Sequence, residues 1–285
     1  MGKKFLLLFS AVFLGAFYTY ADECLCNECK CAQKQRGFGM GGGGNRQRGF
    51  GMGGGNFRKP QPAEPPQELV NDSNLHRLEF TSSNGTVKYC EFLENPDAPG
   101  KMHLVLLLHG LSNSGNDNLR QLAMPAIKPL LDFLRKNKIK ALVLIPQCPE
   151  DKSWIRDKDM LCIMHDLVVS MQKKYTISSE RSIISGFSMG GGAGFSYMME
   201  YPGTFKKAII VSAGGRAARP DKLKGDFYIA VGSKDRFVSP ENTKKMVDKL
   251  KQKNNVRFEM PDLDHIQTGT QIYSGDCWNW AFEIK

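Results

Sequence analysis

The sequence predicts an α/β fold, in which a mostly parallel central sheet is flanked by helices, with an antiparallel hairpin at its N-terminal side and no large lid. Three observations predict it. Short apolar runs alternate with helix-like segments from about residue 75 to about residue 283. A Gly-x-Ser-x-Gly motif stands between one such run and one such segment, and Asn84-Gly85 separates two strand-like stretches as a hairpin turn would.

Each element is predicted from its hydrophobic pattern. The predicted hairpin pairs residues 75–81 with residues 86–92. The segment at 241–253 is predicted to be a helix, because Met246, Val247 and Leu250 stand at the spacing of a core-facing helix side. Further strands are predicted at 103–108, 141–145, 181–185, 207–212, 226–231 and 255–260, and helices at 127–137, 159–174, 189–200 and 241–253. No inserted segment is long enough for a large lid domain, which favours an open cleft.

The segment Gly186-Phe187-Ser188-Met189-Gly190 has a serine at the apex of a predicted strand-turn-helix. A nucleophile elbow needs glycine on both sides of the serine, because larger side chains would collide with the neighbouring strand and helix. Ser188 is therefore the candidate nucleophile.

Two later apolar runs also end in polar loops. Asp235 follows the run at 227–231, and His265 follows the run at 255–260. Loops beyond strand ends can direct side chains toward one point. We therefore expect Asp235 and His265 to meet Ser188.

The apolar run Leu104–Leu108 ends at His109-Gly110-Leu111, in a loop that can donate backbone N–H groups. Acyl transfer places negative charge on the former carbonyl oxygen, so two preorganised amides are needed. Their positions after the strand and after the nucleophile favour the amides of Leu111 and Met189.

Together these motifs resemble the α/β-hydrolase superfamily, and more narrowly the secreted esterase and "predicted peptidase" group related to polyhydroxybutyrate depolymerases, feruloyl esterases and dienelactone hydrolases. The order of serine, acid and histidine is that of the superfamily. The resemblance spans about residues 75–283. Five motifs carry it: the His109-Gly110 loop continuing to Gly115-Asn116-Asp117-Asn118-Leu119; the segment Pro146-Gln147-Cys148-Pro149 with Trp154; the elbow at Ser188; the segment from Gly232 to Asp235 with Val238-Ser239-Pro240; and Asp264-His265. The sequence departs from these families at Leu263-Asp264-His265-Ile266, where they often have a glycine or an aromatic residue nearby. This departure affects the shape of the loop at His265 and hence the choice of substrate.

The resemblance implies an α/β-hydrolase fold and a serine hydrolase that needs no metal or organic cofactor. It makes Ser188 the nucleophile, His265 the base and Asp235 the group that orients the histidine. It assigns His109 and Gly110 to support of the oxyanion loop. Trp154 is expected in the substrate cleft.

The implied substrate is a carboxylic ester, such as acetyl or feruloyl groups linked to a polysaccharide. A serine peptidase of the same fold is an alternative, because the elbow serves both reactions. An inactive hydrolase-fold binding or adhesion protein is an alternative of another class.

Other titratable residues compete less well for these roles. His76, His103 and His165 have no companion pattern and receive no role. The rival carboxylates are Asp157, Asp159, Glu241, Asp262 and Asp264. None follows a strand between Ser188 and His265 as well as Asp235 does, and Asp264 is interpreted as a solvated loop carboxylate.

The N-terminal region divides into two segments ahead of a predicted catalytic domain at 69–285. Residues 1–21 carry lysines before an apolar stretch that is too short for a membrane span, which is typical of a cleavable secretory signal. Residues 22–68 are rich in glycine and proline and predict a disordered tether. The chain is therefore predicted to be secreted or periplasmic, with no transmembrane span in its mature form.

Four of the eight cysteines cluster in the tether, at Cys24, Cys26, Cys29 and Cys31. Their cramped spacing favours local or intermolecular disulfides, and hence cysteine-mediated self-association, over a zinc or copper(I) site. Cys148 and Cys162 form a second candidate bridge, inside the catalytic domain.

The formal net charge of +10 is spread along the chain without a long block. This favours contact with anionic surfaces or polysaccharide over nucleic-acid recognition. The Arg-Gly-Phe repeats at 36–38 and 48–50 resemble RNA-binding tracts, but the predicted secretory signal argues against a nucleic-acid partner.

Overall fold

The computed structural model describes residues 64–214 and 219–284. The predicted signal at 1–21, nearly all of the predicted tether and the cysteines at 24, 26, 29 and 31 lie outside the described residues. Among the described residues, secondary structure begins at Gln67, and Leu69 is buried.

Eight strands form one sheet in the order β1-β2-β4-β3-β5-β6-β7-β8. The strands are β1 (Leu75–Ser82), β2 (Gly85–Glu94), β3 (His103–Leu108), β4 (Ala141–Pro146), β5 (Ser182–Phe187), β6 (Lys207–Val211), β7 (Asp226–Ala230) and β8 (Asn255–Glu259). β1 pairs with β2 and β2 with β4 in antiparallel fashion, and every other pairing is parallel. The predicted fold class, with its N-terminal hairpin, is confirmed.

Helices cover both faces of this sheet. They are α1 (Gln67–Val70), α2 (Ile127–Lys136), α3 (Lys158–Lys174), α4 (Met189–Glu200), α5 (Pro240–Leu250), α6 (His265–Tyr273) and α7 (Cys277–Phe282). Short 3-10 helices occur at Leu111–Asn113, Arg120–Ala123 and Ser179–Arg181. No additional helical domain is inserted between the strands within residues 64–214 and 219–284.

The hydrophobic core is split into two layers by the sheet. Along β3, Leu104, Leu106 and Leu108 face one layer, and Val105 and Leu107 face the other. Side chains alternate between the two faces of a strand, so a strand that is covered on both faces is apolar throughout. The first layer includes α3 and α4, and the second includes α2, α6 and α7.

The parallel pairing brings the carboxyl ends of β3, β5, β6, β7 and β8 to one edge of the sheet. Leu108 of β3 pairs with Gly186 of β5, and Phe187 pairs with Val211 of β6. The loops after these strands therefore start side by side. In open α/β sheets, ligands bind at this edge.

The structure also shows what the sequence did not predict. The strand boundaries agree with the predicted ones to within two residues, but α1, α6 and α7 were not predicted. In the described part of the chain, no helix is both long and apolar enough to cross a membrane.

The bridge considered between Cys148 and Cys162 is wrong, because Cys148 is a free thiol. Cys148 lies fully buried in the core layer of α3 and α4. Burial raises the pKa of its thiol to about 12.

Replacing Leu106 with alanine should destabilise the fold strongly, because its side chain is fully buried in the central strand β3. We expect Leu106→Ala to lower the free energy of unfolding by about 2–5 kcal/mol. The matched control is Leu78→Ala on the edge strand β1, where the side chain is 38% exposed, and a loss below about 1 kcal/mol is expected. Urea unfolding of both variants measures the difference, and equal losses would contradict the assignment of Leu106 to the core.

Candidate active site

Ser188 occupies a sharp turn between β5, which ends at Phe187, and α4, which begins at Met189. Its backbone has φ 54° and ψ −115°, in a region where residues other than glycine are strained. The Ser188 N–H donates to the carbonyl oxygen of Val211 on β6 at 2.9 Å, which holds the turn against the neighbouring strand. This is the geometry of a nucleophile elbow.

The glycines on either side of Ser188 allow this turn. A Cβ at Gly190 would collide with the carbonyl oxygen of Leu108 at the end of β3, and a Cβ at Gly186 would collide with the carbonyl oxygen of Gly190. The first turn of α4 therefore lies directly against the sheet. The close approach raises the serine above the ends of the strands.

The structure brings the three predicted side chains together. The Ser188 Oγ lies 2.9 Å from His265 Nε2, and His265 Nδ1 lies 2.7 Å from Asp235 Oδ2. A carboxylate can only accept, so His265 Nδ1 carries the proton and Nε2 presents its lone pair to the serine hydroxyl. This is the tautomer that a general base for Ser188 requires.

Asp235 and His265 are both held in place by further contacts. The Asp235 side chain is fully buried, and its Oδ1 accepts the backbone N–H groups of Phe237 and Val238, each at 2.9 Å. The His265 carbonyl oxygen accepts from the Ser212 hydroxyl at 3.0 Å. The carboxylate and the backbone of the histidine are therefore fixed before a substrate binds.

Asp264 has a structural role beyond that of a solvated loop carboxylate. It is the N-cap of α6, where its Oδ1 accepts the backbone N–H groups of Ile266 and Gln267, and the Gln267 side chain accepts the Asp264 N–H. Asp264 is exposed and lies in the loop before α6, as interpreted from the sequence, and it also caps the helix that begins at His265. The sequence does contain the signal, since aspartate followed three residues later by glutamine is a capping-box pattern.

The two predicted oxyanion amides lie on either side of the serine. Leu111 is the first residue of a 3-10 helix and Met189 is the first residue of α4, and the first N–H groups of a helix have no acceptor within it. A Cβ at Gly110 would lie 3.5 Å from the Ser188 Cβ, so this loop passes beside the nucleophile.

His109 connects two loops beneath the site. Its Nε2 accepts the Cys148 N–H at 3.0 Å, and its Nδ1 lies 2.7 Å from the Gly110 carbonyl oxygen. Complete burial lowers the pKa of His109 to about 4, so the ring is neutral near pH 7. Because both ring nitrogens have polar partners, His109 fixes the loop that follows β3.

Trp154 does not line an open cleft, and that prediction is corrected here. Its side chain is fully buried, with its ring centroid 5.4 Å from that of His109. The indole packs beneath the loops after β3 and β4, so it supports the site from below and cannot contact a substrate.

Exposed apolar side chains lie on loops and helix starts near the triad instead, at Leu111, Ile155, Phe237 and Ile266. Ile155 reaches the first turn of α4, since a Cβ at Gly192 would lie 2.7 Å from its Cδ1. The sequence analysis missed Ile155, Phe237 and Ile266 because isolated apolar residues in loops form no periodic pattern.

The rival residues have other partners. Asp262 pairs with Lys234 at 2.8 Å, and Asp157 accepts the Ser153 N–H at 2.7 Å. His103 contacts Arg181 at 3.0 Å, and His165 stacks on Tyr201. Within residues 64–214 and 219–284, no group of three or more histidine, cysteine or carboxylate side chains could hold a metal ion.

Removing the cap of α6 should weaken the fold without removing any triad side chain. We expect Asp264→Ala to lower the free energy of unfolding by about 1 kcal/mol, because two backbone N–H groups lose their acceptor. Asp264→Asn is the matched control and should lose at most a few tenths of a kcal/mol, since asparagine caps about as well. Urea unfolding measures both, and a large loss in the asparagine variant would contradict the capping role.

Acid should destabilise the fold through His109. Its pKa in the folded protein is about 4, below the 6.5 of an unperturbed histidine, so the unfolded chain takes up the proton first as the pH falls. The stability that depends on a neutral His109 is full above about pH 6.5 and is lost as the pH falls toward about 4.

Unfolding of the wild type and His109→Gln at about pH 7 and about pH 4.5 tests this linkage. We expect the variant to be less stable at neutral pH but to lose less stability in acid, by on the order of 1–3 kcal/mol. Equal acid-dependent losses in the two proteins would show that His109 does not contribute.

Comparison with known proteins gives structural similarity only. No protein-family model matches the sequence, and no curated protein matches it. A thermostable esterase of known structure is 25% identical, with a TM-score of 0.64, and the match covers 74% of this chain and 63% of the esterase. The chain thus spans less than two thirds of the length of that esterase.

Two further structures match at lower identity. A ferulic acid esterase is 15% identical, with 74% of this chain and 98% of the esterase covered and a TM-score of 0.59. An α/β serine hydrolase without a lid from Xanthomonas campestris is 13% identical, with 74% and 94% covered and a TM-score of 0.55. The sheet order, the elbow at Ser188 and these structural similarities together show that the chain has the α/β-hydrolase fold.

Proposed function

We propose that this protein is a serine hydrolase that cleaves carboxylic esters through an acyl-enzyme. The observation that carries the proposal is the continuous chain of contacts from Asp235 through His265 to Ser188, at 2.7 and 2.9 Å. The strained backbone at Ser188 supports it further, because a serine on a strained strand-to-helix turn is typical of a nucleophile.

Acylation begins with attack of the Ser188 Oγ on the ester carbonyl carbon, while the hydroxyl proton moves to His265 Nε2. The negative charge that develops on the carbonyl oxygen is held by the backbone N–H groups of Leu111 and Met189. Asp235 stabilises the imidazolium. The carbonyl then re-forms, the alcohol leaves with the proton from Nε2, and the acyl group stays on Ser188.

Deacylation repeats these steps with water as the nucleophile. His265 Nε2 takes a proton from the water, which attacks the acyl carbon. The bond to the Ser188 Oγ then breaks, and Nε2 returns its proton to that oxygen. His109 and Gly110 keep the Leu111 amide in position throughout, since His109 is bonded to both neighbouring loops.

The substrate class that we propose is an accessible ester, with acetyl or feruloyl groups on polysaccharide as the favoured examples. The absence of an inserted helical domain in the described chain supports an open site, and one structural relative is a ferulic acid esterase. Export from the cytoplasm, predicted from residues 1–21, would give access to such polymers. A serine peptidase remains the alternative, because the same triad serves amide cleavage.

The first test is hydrolysis of short-chain p-nitrophenyl esters by the purified protein. We expect Ser188→Ala and His265→Ala each to lower kcat by at least about 10³-fold, because the nucleophile or its base is lost. The matched control is Ser196→Ala, a serine later in α4 whose hydroxyl donates to the Gly192 carbonyl oxygen. It should keep a near-wild-type rate.

A fluorophosphonate probe gives an independent measurement. The Ser188 Oγ should displace fluoride and form a stable phosphonate ester, which peptide mass spectrometry would locate on Ser188. Full activity of Ser188→Ala, or labelling at another residue, would overturn the assignment. Cleavage of aminoacyl p-nitroanilides without any ester hydrolysis would favour the peptidase, and a wild type inert to all of these reagents would favour the binding protein.

A further inference from the structure

A cavity of about 410 Å³ opens beside His265. Its lining includes Lys234, Arg236, Phe237, Asp262, Asp264 and Ile266. These residues come from the loops after β7 and β8 and from the first turn of α6, which also supply Asp235 and His265. The cavity is therefore continuous with the catalytic histidine.

The charged side chains that line this cavity differ in the hydrogen bonds and ion pairs that they make. Asp262 accepts from Lys234 Nζ at 2.8 Å and from the Ser233 hydroxyl at 2.9 Å, and these donors lower the pKa of its carboxyl. Asp264 is the cap of α6. Arg236 is exposed and makes no hydrogen bond or ion pair with any residue that the structure describes. Among the described residues that line this cavity, the positive charge without a partner is thus the Arg236 guanidinium.

Two apolar side chains stand next to this charge. Phe237 is 57% exposed and Ile266 is 59% exposed. The Phe237 ring meets the His265 ring edge-on, with centroids 5.0 Å apart. Exposed apolar surface of this kind, adjoining a polar group in a pocket, is typical of a ligand site.

The backbone around Arg236 is held firmly. Asp235 accepts the N–H groups of Phe237 and Val238, and the Lys234 N–H donates to the Leu263 carbonyl oxygen at 3.1 Å. The position of the Arg236 Cα relative to His265 is therefore fixed by the same contacts that hold the triad.

The proton transfer to the leaving alcohol indicates which half of the substrate lies in this cavity. His265 Nε2 must deliver a proton to the departing alcohol oxygen, so the alcohol half lies on the histidine side. The acyl half then faces the other side of the serine, toward Leu111 and Ile155. This step rests on the proposed esterase function.

We infer that the cavity is a leaving-group subsite that selects esters whose alcohol half carries a carboxylate next to an apolar surface, such as an aromatic ring or the C–H face of an acidic sugar. Phe237 and Ile266 contact the apolar surface, and Arg236 binds the carboxylate through its planar fork of N–H donors. Arg236 is a specificity-determining residue in this arrangement and takes no part in proton transfer.

The test compares two acetate esters of matched size, 4-acetoxybenzoate and 4-acetoxybenzamide. Their leaving phenols differ mainly in a carboxylate against a neutral amide. The measured quantity is the ratio of kcat/KM for the carboxylate ester to that for the amide ester. We expect a ratio above one in the wild type, and a fall of about tenfold in Arg236→Gln.

Lys253→Gln is the matched control. It removes the same charge from an exposed position just before β8, at the opposite end of the sheet, and should leave the ratio unchanged. Arg236→Lys should keep part of the preference, and Arg236→Glu should reverse it.

The outcomes separate this inference from the proposed function. A wild type that hydrolyses both esters without preferring the carboxylate, or an unchanged ratio in Arg236→Gln, would overturn the subsite and leave the esterase intact. An equal fall in the ratio with Lys253→Gln would show that the preference comes from the overall charge of the protein and not from Arg236. That result would also overturn the subsite. If the wild type cleaves neither ester, the proposed function fails and the subsite fails with it.

Discussion

The contact between the first turn of α4 and the end of β3 is the constraint on which the rest of the site depends. Gly190 lies so close to the Leu108 carbonyl oxygen that no side chain fits between them. This contact forces the chain to turn sharply at Ser188 and leaves that residue at a positive φ. Such strain costs on the order of 1–3 kcal/mol and persists only where the surroundings hold it. Here the fully buried strand β5 and the bond from Ser188 to Val211 hold it.

The acid and the histidine depend on a second set of contacts, between the loops after β7 and β8. The Ser233 N–H donates to the Pro261 carbonyl oxygen at 2.8 Å, and the Lys234 N–H donates to that of Leu263. These bonds join the two loops side by side, so Asp235 meets a histidine thirty residues later in the chain. The N-cap at Asp264 then fixes where α6 begins, and with it the direction of the His265 side chain. Serine and histidine are thus positioned by separate parts of the sheet that converge at its carboxyl edge.

Some side chains near the site hold its loops in place, and others face the cavity in which the proposed substrate would bind. His109 is buried, neutral and bonded at both ring nitrogens, so it serves only to hold loops together. Trp154 supports the same loops by packing. At the surface, the carboxylates of Asp262 and Asp264 accept from neighbouring donors, whereas the Arg236 guanidinium has no partner within residues 64–214 and 219–284. This difference is what gives the cavity beside His265 a chemical preference under the proposed mechanism.

The sequence by itself determined the strand order along the chain, the elbow and the three side chains that the structure brings together. These features depend on local patterns, since apolar runs, flanking glycines and loop positions can all be recognised within a few residues. The short helix α7 and the helix start at His265 were missed, although the capping-box pattern at Asp264 was present. Only the tertiary structure decided that Trp154 is buried, that Cys148 is a free thiol and that Arg236 has no partner among the described residues. Burial and pairing depend on which distant segments pack together, and a single sequence does not contain that information in any local pattern.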